Sequence, residues 1–208
     1  MKLEARVTPV NIEGSNIAGL GTVTVNGEVY LNNIRVMMGQ EGNFVAMPSR
    51  KTDRVDTETG KPVYQEFFNP ITKECREALN EVVMAAFNSP DGKAETTMDG
   101  VTDELNFRNA RGGVHVYKNP NNNVLGIGSV TLNGQIALNT ITVVDGENGK
   151  FASFPSYKTT KIGEDGNPEY QNYFNMKKDV HAKLSEVLVS GYEKALAKQA
   201  EKQQGKSM

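Results

Sequence analysis

The amino-acid sequence predicts an α+β protein: two copies of an antiparallel β-sheet domain with a C-terminal helix, packed as an intramolecular pseudo-dimer. Three observations predict it. Residues 19–44 match residues 126–151 at an offset of 107 without a gap, with 13 identities in 26 positions. That offset is far longer than a solenoid repeat and marks a duplicated domain. Within each copy, short runs of alternating apolar and polar residues are separated by Asn-Gly and other glycine turns, the pattern of half-buried strands. Each copy then changes to helical spacing, with Ile71, Cys75, Ala78, Leu79, Val82, Val83 and Ala86 in the first and Met176, Val180, Leu184, Val187, Leu188, Gly191 and Ala195 in the second. The boundaries that follow are residues 1–88 for the first copy and 89–113 for a linker. The second, diverged copy takes 114–198, and 199–208 is a polar tail.

Composition narrows the function. The 208 residues carry 23 Lys+Arg against 25 Asp+Glu, a net charge of −2, so there is no basic excess that would announce nucleic acid by itself. Domains of roughly 90 residues bury limited surface, so packing the copies together helps both. No apolar run approaches the ~20 residues of a membrane span, and residues 1–6 lack the apolar core of a signal peptide. The single cysteine, Cys75, makes no internal disulfide and fits a cytoplasmic location.

Taken in order, Leu3, Ala5 and Val7 alternate with polar neighbours as a first strand that stops near Pro9. Gly14 serves a turn. Residues 17–25 form a second strand, whose Gly19 and Gly21 point to a bulge or to close approach of another element. Asn26-Gly27 is a type I′ hairpin signal. Strand three places Val29 and Leu31 in one phase and Ile34 and Val36 in the other, so Asn32-Asn33 reads as a bulge. The second copy slips at the same place.

Residues 44–52, Phe44-Val45-Ala46-Met47-Pro48-Ser49-Arg50-Lys51-Thr52, read as a buried strand ended by Pro48, followed by a hydroxyl and two cations. Residues 151–159 repeat the device around Pro155. A charged loop and an aromatic segment follow, and Asn69-Pro70 is expected to open the first helix as N-cap and N1. The second helix is expected from Asn175. Leu105 and Phe107 either pin the linker or belong to a short extra strand.

The string at 44–51, the strand Asn33-Ile34-Arg35-Val36 before it, and Asn69-Pro70-Ile71 leading to a helix with Arg76 resemble the SpoVG family of septation regulators. The resemblance covers nearly all of residues 1–87. In the second copy Ala152-Ser153-Phe154, Tyr157 and Met176 depart from it. It implies a domain that usually stands alone, dimerises through its sheets, and binds DNA or RNA as a pleiotropic regulator of bacteria, with roles in septation and sporulation. This chain then looks like the dimer made covalent.

Catalysis is not expected. His115 and His181 lie in different elements of one copy, and a metal site needs several convergent ligands; no cofactor, metal or small-molecule substrate is implied. The candidates for nucleic acid are Arg50, Lys51 and Arg54 in the first copy and Lys158 and Lys161 in the second, because cations contact phosphates. Lys177 and Lys178 stand near a helix N-terminus. Tyr64, Phe67, Tyr157 and Tyr170 are placed to stack on unpaired bases, or else to pack on the core or a hairpin partner. Two functions remain open: a non-catalytic regulator contacting the DNA or RNA backbone, and a protein–protein adaptor that keeps the fold without nucleic acid.

Overall fold

In the computed structural model, which describes residues 1–117 and 122–204, the chain runs through fifteen strands and two helices. The first half contains β1 (Lys2–Pro9), β2 (Ile17–Val25), β3 (Val29–Gly39), β4 (Gly42–Ala46), β5 (Ser49–Val55), β6 (Pro62–Glu66), β7 (Phe68–Pro70) and α1 (Lys73–Asn88). Then come β8 (Lys93–Thr97), β9 (Phe107–Val116), β10 (Val124–Leu132), β11 (Ile136–Gly146), β12 (Gly149–Ser153), β13 (Ser156–Ile162), β14 (Pro168–Asn172), β15 (Phe174–Met176) and α2 (Lys178–Gln204). Two antiparallel sheets and two hairpins, β5–β6 and β13–β14, result.

Local chemistry sets most of this. Asn26 and Gly27 have φ of 50° and 66°, and Asn133 and Gly134 have 51° and 65°, the double positive φ that a type I′ turn demands. The glycine pairs answer to close approach. A Cβ on Gly19 would lie 2.9 Å from the Phe87 ring of α1, and one on Gly128 would lie 3.0 Å from Leu188 of α2. Each helix therefore docks across bare backbone. Val23, Val25, Leu31, Ile34 and Val36 supply the buried face under α1, and their counterparts do so under α2.

The halves exchange strands. β7 of the first half pairs with β11 of the second (Phe68 opposite Leu138), and β15 of the second pairs with β3 of the first (Phe174 opposite Leu31). Phe68 and Phe174 are fully buried, and one apolar cluster runs through both halves. The bulges make the joint. Asn32 donates from Nδ2 to the Asn172 carbonyl and Asn139 donates to the Glu66 carbonyl, both at 3.0 Å. Their backbone N–H groups bond to Tyr173 and Phe67 carbonyls at 2.7 Å.

Four expectations are corrected. Phe44 and Phe151 are not buried; they are 51% and 43% exposed. β4 and β12 border their sheets with one neighbour each, and each ring lies over a glycine, Gly39 or Gly146, with solvent beyond. Asn69-Pro70 does not open α1. The chain stays extended through Pro70 to pair with β11, and Thr72 is the N-cap, its hydroxyl accepting from the Cys75 N–H at 3.2 Å. Ile71, read as part of the apolar stripe, is 48% exposed. The second helix likewise starts after β15, at Lys178 rather than at Asn175.

The connection between the copies carries structure of its own. β8 adds to β1, with Ala94 opposite Ala5, and β9 pairs with β10. Leu105 and Phe107 are both buried, and Phe107 opens β9. Residues 199–204 continue α2, and the end of the polar tail lies outside the described residues.

The second bulge is the less well fitted. Asn33 and Thr140 hold the same left-handed conformation at φ 60°, which asparagine tolerates and a β-branched residue does not. The buried Thr140 hydroxyl also has no partner. Thr140→Asn, copying the first half, is expected to stabilise the protein by about 1 kcal/mol, read as a higher denaturant midpoint at unchanged m.

Candidate nucleic-acid interface

The two hairpins stand out from the sheets and carry all five candidate cations. Arg50, Lys51 and Arg54 lie on β5, and Lys158 and Lys161 on β13; all are exposed. They sit on paired strands rather than in loops. Successive residues of a strand point to opposite faces, so Arg50 and Lys51 do not act side by side. Arg50 donates to Gln65 Oε1 at 3.1 Å. Its counterpart Tyr157 makes the same cross-strand bond, its hydroxyl donating to Gln171 Oε1 at 2.8 Å.

On the other face Lys51 is paired with Tyr64, and Lys158 with Tyr170. These tyrosines are 61% and 68% exposed. Each hairpin thus presents one lysine beside one open aromatic ring. None of the five cations is in an ion pair among the described residues. The hairpin tips are acidic: hydrogen bonds from Thr59 hold the Asp56 carboxyl below its usual range, and bonds from Asn167 do the same for Asp165. Lys51 and Lys158 stand nearer the hairpin bases than these carboxylates do.

The remaining candidates sort differently. Phe67 is buried and stacks on Tyr173, its counterpart in the other half, with ring centroids 3.7 Å apart and planes 12° apart. That stack holds the two hairpin bases together. Lys177 Nζ lies 3.8 Å from Glu28 Oε1, while Lys178 is exposed at the start of α2. His181 Nε2 is 3.0 Å from the Ala152 carbonyl and its ring meets Phe154 edge-on, a packing role. Cys75 is fully buried, and desolvation raises its thiol to about 11, so it is neutral and unreactive. Among the described residues, no three His, Cys, Asp or Glu side chains converge as metal ligands, and no helix is long and apolar enough to cross a membrane.

Arg6, Tyr30 and Arg35, which sequence reasoning did not single out as contacts, line a groove of about 900 Å³ between the first sheet and the β13–β14 hairpin. Their outward direction follows from phase, since each flanks residues that face the core. What the sequence could not give was the second wall, which comes from the other half.

The family relation follows from comparison with known proteins. Residues 1–89 and 113–194 each match the SpoVG family model. A protein named as a septation protein SpoVG from Finegoldia magna is 28% identical over 102 residues, covering 49% of this chain and 87% of that protein. One named SpoVG 1 from Listeria monocytogenes is 33% identical over 91 residues, with 44% and 81% covered. One from Heliobacterium modesticaldum is 32% identical over 84 residues, with 40% and 85% covered. Each of these relatives is nearly spanned by less than half of this chain, as a single-copy protein matched to a duplicated one would be. With both of its halves matched, this chain belongs to the SpoVG family and holds the family's domain twice.

Proposed function

We propose that this chain is a non-catalytic, cytoplasmic regulatory protein that binds the DNA or RNA backbone, in processes akin to the septation for which its relatives are named. The observation that carries the reading is the repeated pair of exposed side chains, Lys51 with Tyr64 and Lys158 with Tyr170, on two hairpins joined by the Phe67–Tyr173 stack. Two cationic points held by one joint suit a polyanion that spans both. The adaptor reading draws on the net charge of −2, which steers polyanions weakly.

The test is fluorescence anisotropy with labelled duplex and single-stranded probes across a salt series. Lys51→Ala combined with Lys158→Ala removes two phosphate contacts. It is expected to flatten the slope of log affinity against log salt by roughly 1.8 for duplex, or roughly 1.4 for single strands. Folding is expected to be unchanged, since both side chains are exposed. The weakening is expected to be similar across sequences. An unchanged slope moves the contacts elsewhere, first to Lys178. Absence of binding even at low salt favours the adaptor.

A further inference from the structure

The groove between the first sheet and the β13–β14 hairpin differs from its counterpart across the pseudo-two-fold. Its floor is the outer face of β1–β3, where Arg6, Tyr30 and Arg35 project away from α1. Its far wall is Tyr157 and Tyr173, whose rings meet at 4.8 Å and 42°. The corresponding positions on the second sheet are Ala137 for Tyr30 and Thr142 for Arg35, so the opposite groove lacks both the ring and the guanidinium.

Arg35 is the central observation. It is half-buried, its Nε has no hydrogen-bond partner, and no carboxylate of the described residues is paired with it or with Arg6. The carboxylates next along this face, Glu4 and Glu95, are both held by Lys2, at 3.2 Å and 2.8 Å. A buried cationic donor without a partner is costly in a finished scaffold. A ligand with acceptors and a flat π-face satisfies it. Arg35, Tyr157 and Tyr173 line the same groove, and burial pushes both phenols up while Arg35 opposes that shift.

We infer that this groove takes an unpaired nucleobase with its adjoining phosphate. The base packs among Tyr30, Tyr157 and the Arg35 plane, and Arg6 and Arg35 meet the phosphate. Aromatic rings stack every base without demanding a sequence, and arginine planes do the same. The groove's volume falls within the roughly 300–1,000 Å³ of small-ligand sites. The occupant is therefore single-stranded nucleic acid, held at one such site per chain. The inference rests on the nucleic-acid reading above and sharpens it, since backbone contacts alone do not separate single strands from duplex.

The probes are an oligothymidylate of about eight nucleotides, within the span of one such site, and a short duplex. The chain has no tryptophan and seven tyrosines, so tyrosine fluorescence reports stacking directly. The oligothymidylate is expected to quench it at one equivalent. Arg35→Gln and Tyr157→Leu are each expected to weaken single-strand binding by about tenfold and to remove the quenching, with duplex binding unchanged. Tyr157→Phe, which keeps the ring, is expected to keep both. Arg35→Gln breaks no hydrogen bond at Nε, and a retained melting temperature verifies folding. Single-strand binding that survives both substitutions overturns the groove while leaving the backbone reading intact. So does an equal loss on both probes, which would make Arg35 a phosphate contact alone. Failure of both probes to bind at low salt overturns both.

Discussion

Replacing Phe174 by alanine is expected to cost roughly 3–5 kcal/mol in denaturant melts, and Phe68→Ala a similar amount. Both rings are fully buried, and each belongs to one half while packing into the sheet of the other. Phe174 also meets Phe154, with centroids 5.0 Å apart. The loss is expected in a single transition, because one apolar cluster joins the halves. By contrast Phe44→Ala, at the sheet border with half its ring in water, is expected to cost under about 1 kcal/mol. Equal costs at Phe44 and Phe174, or two separate transitions in the wild type, would contradict the exchanged-strand core.

Asn32→Ala is expected to cost about 1–3 kcal/mol, the penalty of leaving a buried partner unsatisfied. Asn32 is 5% exposed. Its Nδ2 donates to the Asn172 carbonyl at 3.0 Å, and its Oδ1 accepts from the Thr22 hydroxyl at 3.2 Å. Asn139→Ala tests the same bond at the other joint. There the side chain reaches the Glu66 carbonyl at 3.0 Å and Asn69 Oδ1 at 2.9 Å. Chemical denaturation of both variants checks this, and a change below about 0.5 kcal/mol in each would show that the bulges do not hold the halves together.

The features legible in the sequence were those whose cause is local. The Asn-Gly turns, the phase slip at Asn32-Asn33 and the close-approach glycines Gly19 and Gly21 each carry their own conformational or steric signal. The exchanged strands do not. Phe68–Pro70 and Phe174–Met176 are three residues long, too short for a periodic pattern. Asn69-Pro70 is also sound helix-start chemistry, and it lost to pairing with a strand of the other copy. The exposure of Phe44 has the same origin: its apolar run signals burial, but only the sheet order shows that β4 has one neighbour.

The candidate site divides along the same line. Cations after Pro48 and Pro155 were visible as composition, and their alternation along a strand followed once β5 and β13 were in place. The Lys51–Tyr64 and Lys158–Tyr170 pairs depend on hairpin register, which bulges in both hairpins and cannot be counted from the turn. Arg35 becomes notable only when Tyr157 and Tyr173 arrive from the other half to close its groove.

The measurement that bears most directly on the function is the salt dependence of wild-type binding to duplex DNA. If Arg50, Lys51, Arg54, Lys158 and Lys161 all met phosphates, the slope of log affinity against log salt would be about −4.5, and about −3.5 for single strands. The expected duplex slope is clearly negative and no steeper than about −4.5; on single strands Arg6 and Arg35 of the groove are expected to add to the five hairpin cations. A steeper duplex slope would require cations beyond the hairpins, and no detectable affinity for duplex or single strands at low salt would contradict nucleic-acid binding altogether.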